Sequence, residues 1–190
     1  MSYPAQKLRV GILNCYRNAA HAQYVIEAVR HLGHIPVCVY VTRYSMKETL
    51  DWVHQSNIRH WIGTGSDYNV CDHDAPCYDE SILRMRNKKF LLICYSMQSF
   101  LAHVCKCQIT KLPSYVQEMQ TIGGVQLWRN HHFGFYKTDV FSKKYSIQNV
   151  QTFADAIVMS ATCGNVWMTQ YHPERSKQGT FIVLQTFLQQ

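Results

Sequence analysis

Phe90-Leu91-Leu92-Ile93-Cys94-Tyr95-Ser96-Met97-Gln98-Ser99-Phe100 is the stretch on which the fold turns. Its first half is an apolar run of strand length. Its second half reads as a helix, with Met97, Phe100, Leu101 and Val104 at helical spacing. No Gly or Pro loop separates the halves, so Cys94 falls where a strand must turn sharply into a helix. That is the setting of a nucleophile elbow, which lifts one side chain above a sheet at a helix N-terminus. Free N–H groups and the helix dipole there favour a thiolate over a thiol. Taken alone, Cys94 also reads as a buried thiol in an apolar strand.

Before this point, strands and helices alternate. Leu8 to Leu13 and Pro36 to Val41 read as buried strands, and Arg59 to Gly63 as a short third one. Between them, Ala20 to Leu32 reads as a helix stopped by Gly33, with Val25, Ile26, Val29 and Leu32 on one face. Ser45-Met46-Lys47-Glu48 has capping-box spacing and predicts a helix from Met46. Asp79 to Arg86 reads as another short helix. Alternation of this kind implies right-handed crossovers and an α/β fold with a mainly parallel central sheet flanked by helices.

After Cys107 the pattern changes. Residues 108–150 are short polar segments rich in Gly, His and Tyr, read as hairpins and loops at one end of the sheet. Ala156 to Ser160 and Asn165 to Gln170 are strand-like, with a tight turn at Gly164-Asn165. Glu174 to Leu188 is expected to close the chain as an amphipathic helix carrying Phe181, Ile182, Leu184, Phe187 and Leu188.

The 190 residues suffice for one domain, expected over 1–190, and 47% hydrophobic content marks a packed chain. No apolar run reaches the roughly 18 residues that span a bilayer, so no membrane partner is expected. Met1 to Lys7 has no apolar signal core. The eight Cys lie mostly in apolar segments, which fits a reducing compartment, the cytoplasm, better than a disulfide framework. Their spacings do not suit a zinc site, and no metal or other cofactor is expected. Net charge is +7, but the basic residues are dispersed, so nucleic acid is not expected as a partner. Arg84, Arg86, Lys88 and Lys89 read as a solvated helix end.

Gln170-Tyr171-His172-Pro173-Glu174 comes directly off a strand end. Pro173 restrains the backbone between His172 and Glu174. A Cys at an elbow, with a His and a carboxylate at a later strand end, has the parts of a Cys–His–Glu triad. Strand C-termini of a parallel sheet share one edge, so Cys94 and His172 can meet across the chain.

Cys94-Tyr95-Ser96-Met97-Gln98 resembles the Cys-Tyr-Gly-Met-Gln elbow of class I glutamine amidotransferases, and Gln170 to Glu174 resembles that family's Gln-Phe-His-Pro-Glu. Thr64-Gly65-Ser66-Asp67, followed by Asp74-Ala75-Pro76, is similar to the Ser-Gly-Gly-Pro loop and Asp-Ala-Pro of the amidotransferase part of GMP synthetase. Val125 to His131 is similar to its Val-Trp-Met-Ser-His segment. The four motifs stand in the family's order.

The resemblance implies a flavodoxin-like three-layer fold and a glutaminase. Cys94 would attack the side-chain amide of glutamine, His172 would move the proton and Glu174 would orient the imidazole. The Tyr95 N–H, with that of Gly65 or Ser66, would form the oxyanion hole. Gln98 would hold substrate, and backbone groups around Asn130, His131 and His132 would bind its amino-acid end. The ammonia would go to a separate ATP-pyrophosphatase or synthetase subunit, since no Ser-Gly-Gly-Val-Asp-Ser phosphate loop is present; GMP and purine biosynthesis is the implied setting. Leu92 and Ser96 replace the family's two elbow glycines, Ser66 replaces a loop glycine and Asp67 its proline. These departures predict crowding at the elbow. They leave two further readings, a weak or inactive amidotransferase-like binding protein and a stand-alone γ-glutamyl hydrolase.

Overall fold

The computed structural model describes residues 7–122 and 124–190, so the Met1–Gln6 part of the signal-peptide reading lies outside the described residues. Nine strands are named in chain order: β1 (Arg9–Asn14), β2 (Ile35–Tyr40), β3 (His60–Gly63), β4 (Lys89–Ile93), β5 (Thr110–Ile122), β6 (Val125–Gly134), β7 (Gln148–Thr152), β8 (Val158–Cys163) and β9 (Val166–Thr169). Seven of them form one sheet in the order β2-β1-β3-β4-β9-β8-β7. The pairs from β2 through β9 are parallel; β8 and β7 add antiparallel at one edge. β5 and β6 form a separate antiparallel hairpin.

The sheet is covered on both faces, which is why its central strands are apolar without alternation. Successive side chains point opposite ways. Ile62, Leu91 and Ile93 meet Val25 and Val29 of helix α1 (Gln23–His31), and Leu184 and Phe187 near the C-terminus. Trp61, Phe90 and Leu92 meet Leu50 and Val53 of α2 (Met46–Gln55), Ile82 of α3 (Ser81–Arg84) and Met97 of α4 (Tyr95–Ser99). Gly11 on β1 lies under the Trp61 indole, where any Cβ would overlap the ring. Among the described residues, no helix is long and apolar enough to cross a membrane.

Several local expectations need correction. Ser45 makes no side-chain cap: its hydroxyl accepts from Thr42 N–H at 2.8 Å instead. The helix read at 79–86 is the single turn of α3, and the polar stretch after Cys107 is dominated by one long hairpin rather than several short ones. Glu174 sits in a 3₁₀ turn (Pro173–Arg175); the closing helix follows as α5 (Lys177–Gly179), a π turn (Thr180–Leu184) and α6 (Gln185–Leu188). Phe181 and Ile182 face outward, 46% and 51% exposed, while Leu184, Phe187 and Leu188 are buried. Lys88 is buried, not solvated: its ammonium donates to the Ser56 and Ile58 carbonyls, satisfying the charge where it crosses the end of α2.

Candidate active site

Cys94 stands at the junction. Its N–H donates to Thr169 O at 2.7 Å, the last bond of the β4–β9 pairing, and its carbonyl accepts the first helical bond from Gln98 N–H at 3.0 Å. One residue therefore ends a strand and begins a helix, and only a sharp backbone reversal permits that. Its φ of 50° and ψ of −106° show the strain, a conformation that costs about 1–3 kcal/mol for a residue with a side chain. The helix continues as a π turn through Phe100–Val104.

The crowding expected from Leu92 and Ser96 is absent. Gly63 on β3 is the register partner of Leu92, and a Cβ there would come within 2.8 Å of both Leu92 Cδ2 and Ser96 Oγ. The space that elbow glycines would leave is supplied from the neighbouring strand. Ser96 also anchors the following loop: its hydroxyl donates to Thr64 O at 2.6 Å and accepts from Tyr78 OH at 3.1 Å. The Thr64 hydroxyl in turn accepts from Cys15 N–H, and Ser66 Oγ donates to Cys15 O at 2.6 Å. Ser66 does not have a positive φ, so its backbone is unstrained. The Asp74-Ala75-Pro76 motif works as a brace. Asp74 pairs with Arg17 at 3.2 Å, and Pro76 O accepts from Tyr95 OH.

His172 and Glu174 meet: Nδ1 and Oε1 are 2.7 Å apart, both side chains almost fully buried. Pairing of His172 N–H with Trp128 O at 2.7 Å ties the strand end to β6. His172 Nε2 is buried and makes no hydrogen bond, so the nitrogen turned away from Glu174 is free for a proton or a reacting atom. Gly65 packs against the imidazole, its missing Cβ direction 2.7 Å from His172 Cε1. Burial opposes charge on the His172 imidazole, but the Glu174 carboxylate and the Cys94 sulfur beside it prevail and push its pKa up to about 10.

A raised folded-state pKa contributes stability that is complete below the unfolded value of 6.5 and disappears as pH climbs through about 10. The melting-temperature gap between wild type and His172→Gln should therefore be widest near pH 6 and close toward pH 10. A gap that is constant over that range would show that the imidazole does not hold this charge.

A cavity of about 120 Å³ opens over the sulfur, lined by Ser66, Tyr95, Gln98, Tyr115, Asn130 and His132 among others. Tyr95 is the first residue of α4, where an N–H has no partner within its own helix. Cys94 Sγ donates to Asn130 O at 3.6 Å. Gln98 lies in the wall, but its Nε2 is engaged by Phe133 O at 2.7 Å and Gln170 Oε1 at 3.0 Å, leaving only Oε1 for a ligand. His131 points inward, to Phe133 O and Arg129, and burial drives its pKa down to about 4. Thus Cys94, Tyr95, Ser66, Gln98, Asn130, His131 and His132 line one cavity, with Gly65, His172 and Glu174 beside it; the His131 ring is engaged by Phe133 O and Arg129, and the role expected of that residue was its backbone's.

Three residues were missed. Gln170 donates from Nε2 to Cys94 Sγ at 3.3 Å. Tyr16, just past β1, puts its hydroxyl against Gly65; burial and the neighbouring Glu174 and Cys94 raise its pKa, keeping it neutral. Its place at a strand C-terminus was the available signal. Tyr115 is thrown over the cavity by a register shift between Lys111 and Val116, and its hydroxyl donates to Asn130 Oδ1. Pro113, which has no N–H to pair and lies inside the shift, was the available signal.

Solved structures share this architecture. A crystal structure of a glutamine amidotransferase superposes with a TM-score of 0.58 over 95% of this chain and 97% of that one, at 13% identity. The fold is that of a glutamine amidotransferase. A second such structure, from Thermotoga maritima, gives a TM-score of 0.52 over 95% and 83% of the two chains at 10% identity. No protein-family model and no curated protein matches the sequence.

Proposed function

We propose that the protein is a glutaminase of the class I amidotransferase kind, working through Cys94, His172 and Glu174. The observation that carries this reading is the convergence of a strained Cys elbow, a buried His–Glu pair and a small polar cavity at one sheet edge. The Cys94 thiolate attacks the side-chain carboxamide carbon of glutamine, and the C–S bond forms as the oxygen takes up negative charge. The Tyr95 N–H and that of Gly65 or Ser66 receive this oxyanion; losing one such donor typically costs about 10²–10³ in rate. The His172 imidazolium gives its proton to the leaving nitrogen, the C–N bond breaks and ammonia departs. Neutral His172 then takes a proton from water, whose oxygen cleaves the thioester to glutamate. Glu174 holds the imidazole throughout. Gln98 Oε1 and the Asn130–His132 backbone hold the amino-acid end of the substrate.

The ammonia goes to a separate synthetase subunit, one that makes GMP, as the loop and Asp-Ala-Pro motifs imply. The resting site supports partner control: the cavity is about 120 Å³ and the Cys94 sulfur is engaged by Asn130 and Gln170. The same features favour, as second reading, a scaffold that binds a partner without turnover. Glutamate release should be measured for the isolated chain, then with a separately produced GMP synthetase ATP-pyrophosphatase subunit, its nucleotide substrate and ATP. Slow release accelerated by the partner is expected. No release with any partner, together with Cys94 alkylation no faster than that of the other seven thiols, would leave the scaffold reading.

A further inference from the structure

The hydrogen-bond polarity around the sulfur can be read outward from one group. The Phe133 carbonyl can only accept. Gln98 presents an atom to it at 2.7 Å, so that atom is the amide nitrogen. The same nitrogen lies 3.0 Å from the Gln170 side chain and spends its second proton there, so the Gln170 atom facing it is the oxygen. The other end of the Gln170 amide, 3.3 Å from Cys94 Sγ, is therefore the nitrogen, a donor aimed at the sulfur. The Phe133 carbonyl also fixes His131, whose Nδ1–H donates to it at 2.9 Å while Nε2 accepts from Arg129 Nε at 3.3 Å. Arg129 is 1% exposed and is held by Asp155 and Gln120, each at 2.9 Å. No member of this chain can reverse without leaving a buried group unpaired, which is costly in such surroundings.

We propose that Gln170 is a further catalytic residue, whose side-chain amide donates to the Cys94 thiolate and is kept in that orientation by Gln98 and the Phe133 carbonyl. Gln170 is fully buried, with no route for solvent to replace its bond. Against it stands the Asn130 carbonyl, an acceptor that favours the protonated sulfur. The ionisable groups beside the sulfur include His172, with Glu174 behind it, and the neutral Tyr16 hydroxyl; on β6, His131 is neutral, and Asp67, Tyr68, Tyr95, Tyr115 and His132 also line the cavity. Gln170 is thus the side-chain donor to the sulfur and the His172 imidazolium the positive charge beside it, and both favour ionised sulfur. This builds on Cys94 as the nucleophile, but not on glutamine as its substrate.

The test is alkylation by iodoacetamide, a neutral probe, followed peptide by peptide by mass spectrometry across pH. Gln170→Leu should raise the pH of half-maximal Cys94 alkylation by about one unit, an approximately tenfold lower rate on the acid limb. Gln98→Met leaves Gln170 in place but removes the donor that orients it without adding a charge, so the amide can reverse; it should give a shift of the same sign. The profile of exposed Cys38 should not move in either variant. Wild-type Cys94 profiles in both variants, or an equal shift at Cys38, would overturn the proposal. Should one variant fail to fold by circular dichroism, the other decides. A Cys94 shift without glutamine turnover would retire the glutaminase reading and keep this one.

Discussion

Cys94→Ala is expected to lower glutamine hydrolysis by about 10⁴–10⁶-fold, the scale seen when an enzyme of triad type loses its nucleophile, while the fold persists. No other thiol can take over. Cys15, the thiol tied through Ser96 to the elbow, is fully buried and its pKa is raised to about 11 by that burial, with bonds from Ser96 and Tyr78 only partly opposing it. The cost to stability should be small, because the change removes one atom and two weak bonds at the rim of the cavity. Alanine keeps the strained φ of 50° at this position, so Cys94→Gly should melt higher than Cys94→Ala. Steady-state turnover and melting curves on the three proteins check both halves. Retained turnover in Cys94→Ala would end the covalent mechanism; an inverted order of melting would end the account of the strain.

Gly63→Ala should destabilise the protein by about 3 kcal/mol, toward the upper end for overpacking a core. For a chain of this length that is a drop of roughly 10 °C in melting temperature. The new methyl would sit 2.8 Å from Leu92 Cδ2 and from Ser96 Oγ, and against Tyr78 OH. None of the three can retreat cheaply: Leu92 and Ser96 are 0% exposed and Tyr78 2%. Ser96 also holds Thr64 and so the loop at Gly65. Turnover should fall with stability, because the elbow and that loop shift together. Replacing Leu92 and Ser96 by glycines should not relieve anything. Leu92→Gly empties a filled site, at about 2–5 kcal/mol by analogy with other large-to-small core changes, and Ser96→Gly frees the loop. A Gly63→Ala protein that melts with wild type would show that the elbow has slack.

The strand–elbow–helix and the strand–helix alternation before it were legible in the sequence. Both rest on neighbours along the chain: an apolar run of strand length, a helical spacing, and the absence of a loop between them at Cys94. That Cys94, His172 and Glu174 share one edge was legible too, because parallel strands bring their C-termini to the same side; that they are neighbours along it follows from β4 lying beside β9. What lay beyond reading was anything that depends on which strand lies beside which. Only the order β2-β1-β3-β4-β9-β8-β7 puts Gly63 across from Leu92 and turns an expected clash into a fitted contact. Lys88 reads as solvated until the end of α2 is seen to cross it and offer two carbonyls. Gln170 reads as part of a motif until Gln98 and Phe133, from two other elements, set the direction of its amide. Tyr115 reaches the cavity only through a register shift in a hairpin. Local periodicity encodes direction along a chain and the face a residue takes. Volumes, hydrogen-bond polarity and the solvation of a charge are settled between segments distant in sequence, and they exist only once those segments touch.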